Sequence, residues 1–111
     1  MPDPEPIIPS LPENHAAYFV LDERVRILPL ERLTATRMRP EGVGNAARYM
    51  LAASRGEMPR RQPIDVEPAG GEGWRILDGN STFAVARLSG WRSIPCLVRD
   101  QVSTSSTQTG A

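Results

Sequence analysis

The chain has 111 residues, a formal net charge of zero and a hydrophobic fraction of 40%. This length allows one small domain with a single modest core and leaves no room for a second domain. The only cysteine is Cys96 and the only histidine is His15. This excludes an internal disulfide and a cysteine-based metal cluster, and it argues against a histidine zinc site or a catalytic histidine dyad. We therefore predict no metal site.

The two ends of the chain have the composition of disordered tails. Residues 1–17 are rich in proline and acidic, and residues 101–111 are rich in Ser, Thr and Gln. Neither segment can bury enough apolar surface to become ordered, so we predict a folded domain at residues 18–100. No apolar run approaches the length of a membrane span, and acidic residues stand where a signal peptide needs basic ones. We expect a cytoplasmic protein with no membrane partner.

The first half of the domain is predicted to form a strand, a loop and a helix. Apolar and charged residues alternate in RVRI before Pro29, which indicates a short strand with one wet face. The segment TATRMRPEG is then a loop. From Val43 to Ser54 the apolar and small residues recur at helical spacing, and Gly56 and Pro59 supply a stop signal.

The second half is predicted to contain three strands and a second helix. The segment QPIDVEP is a strand whose flanking prolines place it near the edge of the sheet, with Asp65 and Glu67 facing solvent together. In WRILDG, Ile76 and Leu77 point to opposite sides, which predicts a strand covered on both faces. A helix follows at residues 81–89.

That second helix has Ala84, Val85 and Leu88 available for packing, and Gly90 is suited to the left-handed position that ends a helix. The segment SIPCLV is predicted as the last strand, with Cys96 as a buried, unreactive thiol. The resulting order of elements predicts an α+β domain with a small mixed β-sheet and helices packed against it.

The segment DGNST, at residues 78–82, is the best candidate for a ligand site. Asn80, Ser81 and Thr82 are residue types that cap helices, and a helix start preceded by Asp-Gly is also a suitable seat for a phosphate. Asp78 either orients its own turn or holds a metal ion together with the phosphates of a nucleotide. The residues alone leave the cap and the phosphate site open.

The chain resembles the ParB N-terminal domain and sulfiredoxin superfamily, often called the ParB-like nuclease domain. VRILPLERL is similar to the opening strand of that superfamily, and MPRRQPIDV to the segment that leads to its PI-x-V strand. WRILDGNSTFAVARLSGWRSIPCLV is similar to its strand, DG-x-x-R box, helix and closing strand. The resemblance implies a ParB/sulfiredoxin-like fold. It also implies a nucleotide ligand, such as CTP, ATP or ADP with magnesium, and a plasmid, phage or mobile-element context.

The sequence departs from this superfamily within the box. Asn80 stands where sulfiredoxin has its catalytic cysteine, and Thr82 stands where the box arginine falls. Sulfiredoxin chemistry is excluded because no thiol is available at that position. Backbone N–H groups and the hydroxyls of Ser81 and Thr82 can still hold a phosphate.

Two pairs of arginines are further candidates. Arg37 and Arg39 follow the first predicted strand, where the resemblance implies an arginine near the nucleotide pocket; the alternative is a solvated surface pair. Arg60 and Arg61 suit either a nucleic-acid contact or a polar loop. The isoelectric point of about 6.6 is low for a dedicated DNA-binding domain.

Three functions follow from these observations. The first is a domain that binds a nucleotide or another phosphate-bearing ligand at DGNST. The second is a catalytically degenerate domain that serves as a protein- or DNA-interaction module. The third, ranked last, is a metal-dependent nuclease, for which Asp65, Glu67 and Asp78 are the only acids near the predicted strands.

Overall fold

The computed structural model describes residues 10–36 and 40–99. The first nine residues and the predicted C-terminal tail, residues 101–111, lie outside the described residues. In chain order the elements are α1 (His15–Tyr18), β1 (Arg26–Pro29), a 3-10 turn (Leu30–Arg32), β2 (Leu33–Thr34), α2 (Pro40–Ser54), β3 (Ile64–Pro68), β4 (Trp74–Asp78), α3 (Asn80–Leu88) and β5 (Ser93–Val98).

The five strands form one mixed sheet in the order β1-β5-β3-β4-β2. β1 pairs antiparallel with β5, and β3 pairs antiparallel with β4. β3 and β5 are parallel, as are β2 and β4. The helices α2 and α3 pack on each other, and α3 also contacts β3 and β5. The predicted α+β class, with a mixed sheet and packed helices, is confirmed.

The predicted helical face of α2 is buried as expected. Val43, Ala46, Ala47 and Met50 are at most 4% exposed, and they lie on the side that faces the core. Gly56, after the helix, has a φ of +77°, and Gly90, after α3, has a φ of +81°. Both glycines therefore adopt the left-handed conformation that ends a helix.

The prediction that the QPIDVEP strand lies at the edge is wrong, because β3 is the central strand. Pro63 precedes the strand and Pro68 is its last residue, so neither missing N–H interrupts the pairing of residues 64–66 with β5. A proline at a strand end costs the sheet little. The central position brings β3 next to the start of α3.

The prediction that Asp65 and Glu67 face solvent together is also wrong. Glu67 is only 8% exposed, and Arg75, directly opposite on β4, donates to its Oε2 from Nε at 2.8 Å and from Nη2 at 2.7 Å. Asp65 is half-buried and forms an ion pair with Arg99 at 3.1 Å. Arg75 of β4 and Arg99, which follows β5, make these carboxylates tolerable in the sheet.

Two apolar residues predicted to be covered are exposed. Leu77 of β4 is 46% exposed, although its neighbour Ile76 is fully buried, so β4 is covered on one face only. Leu88 is 66% exposed at the end of α3, whereas Ala84 and Val85 pack in the core. Between β3 and β4 the pairing passes from Asp65–Asp78 directly to Val66–Ile76. Leu77 is therefore an extra residue without a register partner on β3, outside the regular alternation of side chains.

Among the described residues, packing on the core includes Leu11, which precedes the predicted boundary at residue 18. Leu11 and Tyr18 are each 2% exposed and belong to the same core as Trp91. These two apolar residues anchor a polar segment whose composition alone is typical of a tail. Within residues 10–36 and 40–99, no helix is both long and apolar enough to cross a membrane.

Candidate functional site

A single glycine joins β4 to α3 at the centre of the predicted site. Gly79 is the N-cap residue of α3 and has a φ of +105°, in the left-handed region. A Cβ at this position would lie 2.7 Å from the Cβ of Ile64 and 3.2 Å from its Cα. Glycine is therefore required both by the backbone conformation and by the close approach of the central strand.

The helix start is capped differently from the way the sequence suggests. Its N-cap residue, Gly79, has no side chain, and the side chain of Asn80 turns to the loop after β2. There the Asn80 Oδ1 accepts a bond from the N–H of Thr36 at 2.8 Å. The first backbone N–H groups of any α-helix have no partner within the helix. In α3 these groups belong to residues 79–82, since the Phe83 N–H already donates to the Gly79 carbonyl at 2.9 Å.

A cavity of about 320 Å³ opens at this helix start. The five residues of DGNST line it together with three others, Thr36, Arg61 and Leu77. Thr82 is 3% exposed and Ser81 is half-buried, so these two residues belong to the wall of the cavity rather than to an open surface. The size is at the lower end of the range for small-molecule sites.

Arg61 supplies positive charge to this cavity. Its Nη1 is buried and has no hydrogen-bond partner within the part of the chain that the structure describes. Burial lowers the pKa of the Arg61 guanidinium, and the nearby Asp78 carboxylate opposes that shift. A cation that is desolvated without a direct partner gains free energy when an anion approaches it.

A second cavity, of about 420 Å³, adjoins the first on the side of β3. The two cavities share Arg61, Asp78, Gly79 and Thr82. The second also contains the ion pair of Asp65 with Arg99, and it contains Arg24, which pairs with Asp22 at 2.9 Å. The helix start is therefore the meeting point of two polar spaces.

Of the remaining predicted site residues that the structure describes, Arg60 lies outside both cavities. The Arg60 Nη1 donates to the carbonyl of Ala16 at 3.2 Å, so its guanidinium contacts α1 and not the cavities that Arg61 lines. Arg37 and Arg39 lie outside the described residues. Cys96 is fully buried, as predicted, and burial raises the pKa of its thiol to about 12.

No group of three or more potential metal-ligating side chains occurs in the described ranges. Asp65 and Asp78 are register partners on β3 and β4, and Asp65 is already paired with Arg99. Glu67 is engaged by Arg75. The three acids named for a nuclease therefore do not converge on one point among the described residues.

Two residues of the cavity, Thr36 and Arg61, do not stand out in the sequence as parts of one site. Thr36 falls in a predicted loop, and the pattern around Arg61 indicates only a nucleic-acid contact or a polar loop. The parallel pairing of β2 with β4 brings Thr36 to the helix start, and a bridge between Phe19 and Arg61 fixes the latter. Both contacts join residues about 40 positions apart, so no local pattern in the sequence predicts them.

Comparison with solved structures finds a protein of similar fold. Among curated proteins, no relative matches this sequence. The structure is similar to C-terminally truncated SbnI from Staphylococcus aureus, with a TM-score of 0.58 and 14% sequence identity over 72% of this chain and 32% of that one. The present chain therefore spans about a third of the SbnI chain.

Two further structures align less well. One is the C-terminally truncated chromosome-partitioning protein ParB from Caulobacter crescentus, complexed with CTP-gamma-S. It has a TM-score of 0.48 and 23% identity, over 68% of this chain and 44% of that chain. The other is sulfiredoxin from Arabidopsis thaliana, with a TM-score of 0.49 and 17% identity over 73% and 92% of the two chains.

The family model gives the broadest match. The model of the ParB N-terminal domain matches residues 14–110, which is most of the sequence. The match includes the DGNST segment, α3 and β5 as well as the central strand. The chain therefore belongs to the ParB N-terminal domain family.

Proposed function

We propose that this chain binds a nucleotide or another phosphate-bearing ligand at the start of α3. The observation that carries the proposal is the cavity that combines the first turn of a helix with the guanidinium of Arg61. Helix N-termini favour anions through their unpaired N–H groups and the helix dipole. The buried Nη1 of Arg61 adds a positive group that is not neutralised by a direct hydrogen bond in the described part of the chain.

The Asp78 carboxylate limits the net positive charge of this site. It lines the same cavity as Arg61, so the two side chains together bring no net charge. A phosphate would therefore be held mainly by backbone N–H groups, by Arg61 and by the hydroxyls of Ser81 and Thr82. Magnesium bound to the phosphates would take Asp78 as an additional oxygen ligand, in keeping with its preference for few carboxylates and many phosphate or water oxygens.

A titration followed by NMR tests the proposal. The protein is titrated with inorganic phosphate, CTP, ATP and ADP, each with and without magnesium. We expect the amide signals of Ser81 and Thr82 to shift saturably with at least one nucleotide. If no ligand of the panel moves these signals or the melting temperature, the anion site is contradicted.

Asn80→Asp separates anion binding from helix stability. The carboxylate retains an acceptor for the Thr36 N–H and places a negative charge at the helix N-terminus, which favours the helix. The same charge repels a phosphate. We expect the favourable charge at the helix start to offset the lost bond from the Asn80 Nδ2 to the Thr36 Oγ1, so that the melting temperature stays close to that of the wild type while ligand binding is lost. Unchanged affinity in Asn80→Asp would contradict a phosphate at this position.

Arg61→Gln tests the contribution of the Arg61 guanidinium to ligand binding, with Arg55→Gln as its matched control. Arg55 is exposed just after α2 and outside both cavities, so the control makes the same change in overall charge. We expect Arg61→Gln to weaken binding by about tenfold or more, as for a hydrogen bond to a charged group worth about 1.5–3 kcal/mol. If the two substitutions weaken binding equally, Arg61 acts only through the overall charge of the protein and not through direct contact with the ligand.

Ser81→Ala provides a smaller and more local change. Loss of one neutral hydrogen bond to the ligand is expected to cost about 0.5–1.5 kcal/mol of binding free energy. An effect on stability alone, identical with and without ligand, would assign the hydroxyl to the helix start only.

The alternative function is an interaction module without a small ligand. The exposed Leu88 at the end of α3 and the exposed Leu77 beside the cavity favour it, because large apolar side chains in contact with solvent often mark partner surfaces. A DNA-binding module would show salt-dependent binding of a labelled duplex in fluorescence anisotropy. Duplex binding that is unaffected by Arg61→Gln, together with no response to nucleotides, would favour this alternative.

A further inference from the structure

The segment from Leu11 to Val20, here called the N-terminal strap, is attached at one end to the residues that follow α3. The Leu11 N–H donates to the Ser89 Oγ at 3.1 Å, and the Trp91 Nε1 donates to the Leu11 carbonyl at 2.8 Å. Leu11 is 2% exposed and Trp91 is 5% exposed. Both polar groups of the Leu11 backbone are thus satisfied at the C-terminal end of α3.

The middle of the strap is held by a carboxylate and by aromatic packing. The Glu13 carboxylate accepts a bond from the Arg92 N–H at 2.7 Å and from the Ser93 hydroxyl at 2.8 Å. The ring of Tyr18 stacks on Trp91 with the centroids 5.4 Å apart. Charge-assisted hydrogen bonds and buried aromatic pairs are among the stronger local contacts.

The other end of the strap holds the backbone of Arg61. The Arg61 N–H donates to the Tyr18 carbonyl at 2.8 Å, and the Val20 N–H donates to the Arg61 carbonyl at 2.8 Å. Phe19, between them, is fully buried. The neighbouring Arg60 adds a bond from Nη1 to the Ala16 carbonyl. Both backbone hydrogen-bonding groups of Arg61 are therefore paired with the strap.

We infer that the N-terminal strap is a positioning element for the Arg61 guanidinium at the start of α3. The Arg61 Nη1 has no hydrogen-bond partner in the described part of the chain, so the place where the backbone of Arg61 is held contributes directly to the location of its guanidinium. The strap runs from the C-terminal end of α3 to the cavity at its N-terminal end. Its anchors at Leu11 and Glu13 act on the cavity through Arg61 and touch neither cavity themselves. The effect on binding rests on the proposed function; the effect on Arg61 does not.

Two substitutions test the inference: one at Glu13, near the far end of the strap, and one at Trp91, whose ring also stacks on Tyr18 close to Arg61. Trp91→Phe removes the N–H donor to the Leu11 carbonyl and keeps an aromatic ring, and Glu13→Ala removes the carboxylate. Val43→Ala, a buried position of α2 outside the strap and both cavities, is the control for general loss of stability. A second, milder strap variant, Glu13→Gln, is used if Glu13→Ala does not fold.

The first measurement is made without ligand, by amide hydrogen exchange and by the Arg61 Nε–H signal in NMR spectra. In the strap variants we expect the amides of Val20 and Arg61 to exchange faster by the same factor, and the Arg61 side-chain signal to shift. The Val43→Ala control is expected to leave the Arg61 signal unchanged. Faster exchange in the strap with an unchanged Arg61 amide and side chain would overturn the inference.

The second measurement is the affinity for CTP and for inorganic phosphate. We expect binding to weaken by about 2- to 30-fold in Trp91→Phe and Glu13→Ala, a range typical of coupling through residues that do not touch the ligand. If the wild type binds neither of these probes and neither ATP nor ADP, the proposed function fails while the exchange result still decides on the strap. If the wild type binds and the strap variants bind equally well while Arg61 is perturbed, the positioning role is overturned.

Discussion

Asn80 and Thr36 form a reciprocal pair of hydrogen bonds between the start of α3 and the loop after β2. The Asn80 Oδ1 accepts from the Thr36 N–H at 2.8 Å, and the Asn80 Nδ2 donates to the Thr36 Oγ1 at 3.3 Å. The same hydroxyl donates to the carbonyl of Ile76 at 2.8 Å. This chain of bonds ties the edge strand, β4 and α3 together on one side of the cavity.

The pair predicts coupled effects on stability. Asn80→Ala and Thr36→Val are each expected to lower the free energy of unfolding by about 0.5–1.5 kcal/mol, since each removes partly exposed hydrogen bonds. The double variant should cost less than the sum, because the two residues share the lost bonds. Urea unfolding of the four proteins measures this coupling. Additive effects would show that the two side chains stabilise the fold independently.

Gly79→Ala is expected to be strongly destabilising. The left-handed backbone costs a non-glycine residue about 1–3 kcal/mol, and the new Cβ would also collide with Ile64 of the central strand. Gly70→Ala is the matched control, because Gly70 has a φ of +90° and its new methyl carbon would meet no atom of a more distant residue within 4 Å. Thermal unfolding should show a larger loss for Gly79→Ala, by about 2 kcal/mol.

The close approach of Gly79 to Ile64 bears on whether substitutions at Gly79 can be used to test ligand binding. The sequence alone predicts that a bulky residue at this position blocks a ligand at only moderate cost in stability. The contact with Ile64 argues instead for a large cost in stability, so ligand binding is better tested at Ser81, Asn80 and Arg61. A Gly79→Ala protein as stable as Gly70→Ala would contradict the close packing of Gly79 on Ile64.

The Glu13 carboxylate makes the attachment of the strap dependent on pH. The bond from the Arg92 N–H holds the pKa of Glu13 below its ordinary value of 4.5, with further contributions from Ser93 and from His15, whose Nε2 lies 3.3 Å away. The native state therefore binds this proton less tightly than the unfolded state does. The contribution of Glu13 to stability is complete above the ordinary pKa and is lost as the pH falls through the lower native pKa.

Comparison with Glu13→Gln checks this sign. Unfolding by urea between pH 3 and pH 5 stays below the usual titration range of histidine. We expect the wild type to be more stable than Glu13→Gln at the upper end of this range, and the difference to shrink towards the lower end. A difference that grows on acidification would contradict the assignment of a lowered pKa to Glu13.

Cys96 is expected to be protected from thiol reagents in the folded protein. Burial raises the pKa of its thiol to about 12, so very little thiolate is present at pH 8. Reaction with a disulfide reagent at this pH should be slower than in urea by about a hundredfold or more. Because Cys96 is the only cysteine, the absorbance change reports on this residue alone. Equal rates in buffer and in urea would show that the last strand is accessible.

The raised pKa of Cys96 also predicts a loss of stability at alkaline pH. Its contribution is complete below the unfolded value of 9.0 and is lost as the pH rises towards about 12. Cys96→Ala removes this dependence at the cost of a smaller buried side chain. A wild type whose stability falls no faster than that of Cys96→Ala above pH 9 would contradict the burial of the thiol.

Local patterns in the sequence determined most of the secondary structure of this protein. The helical spacing from Val43 to Ser54, the glycines that end the two long helices, and the alternation in the strands all reflect interactions between residues close in the chain. The same is true of the DGNST turn, which passes from strand to helix through one glycine. Membership of the ParB N-terminal domain family was also visible in these segments, because the resemblance rests on continuous motifs.

The tertiary structure alone decided the place of each element in the sheet and the composition of the cavity. β3 is central although prolines bound it, since β5 pairs only with residues 64–66 and Pro68 stands at the strand end, opposite Trp74 of β4. Leu11 is buried in a polar segment because Trp91, 80 positions away, bonds to its carbonyl. Thr36 and Arg61 reach the helix start through pairings between distant strands and segments. Such contacts depend on which surfaces meet when the chain folds. The local periodicity of apolar residues therefore does not predict them.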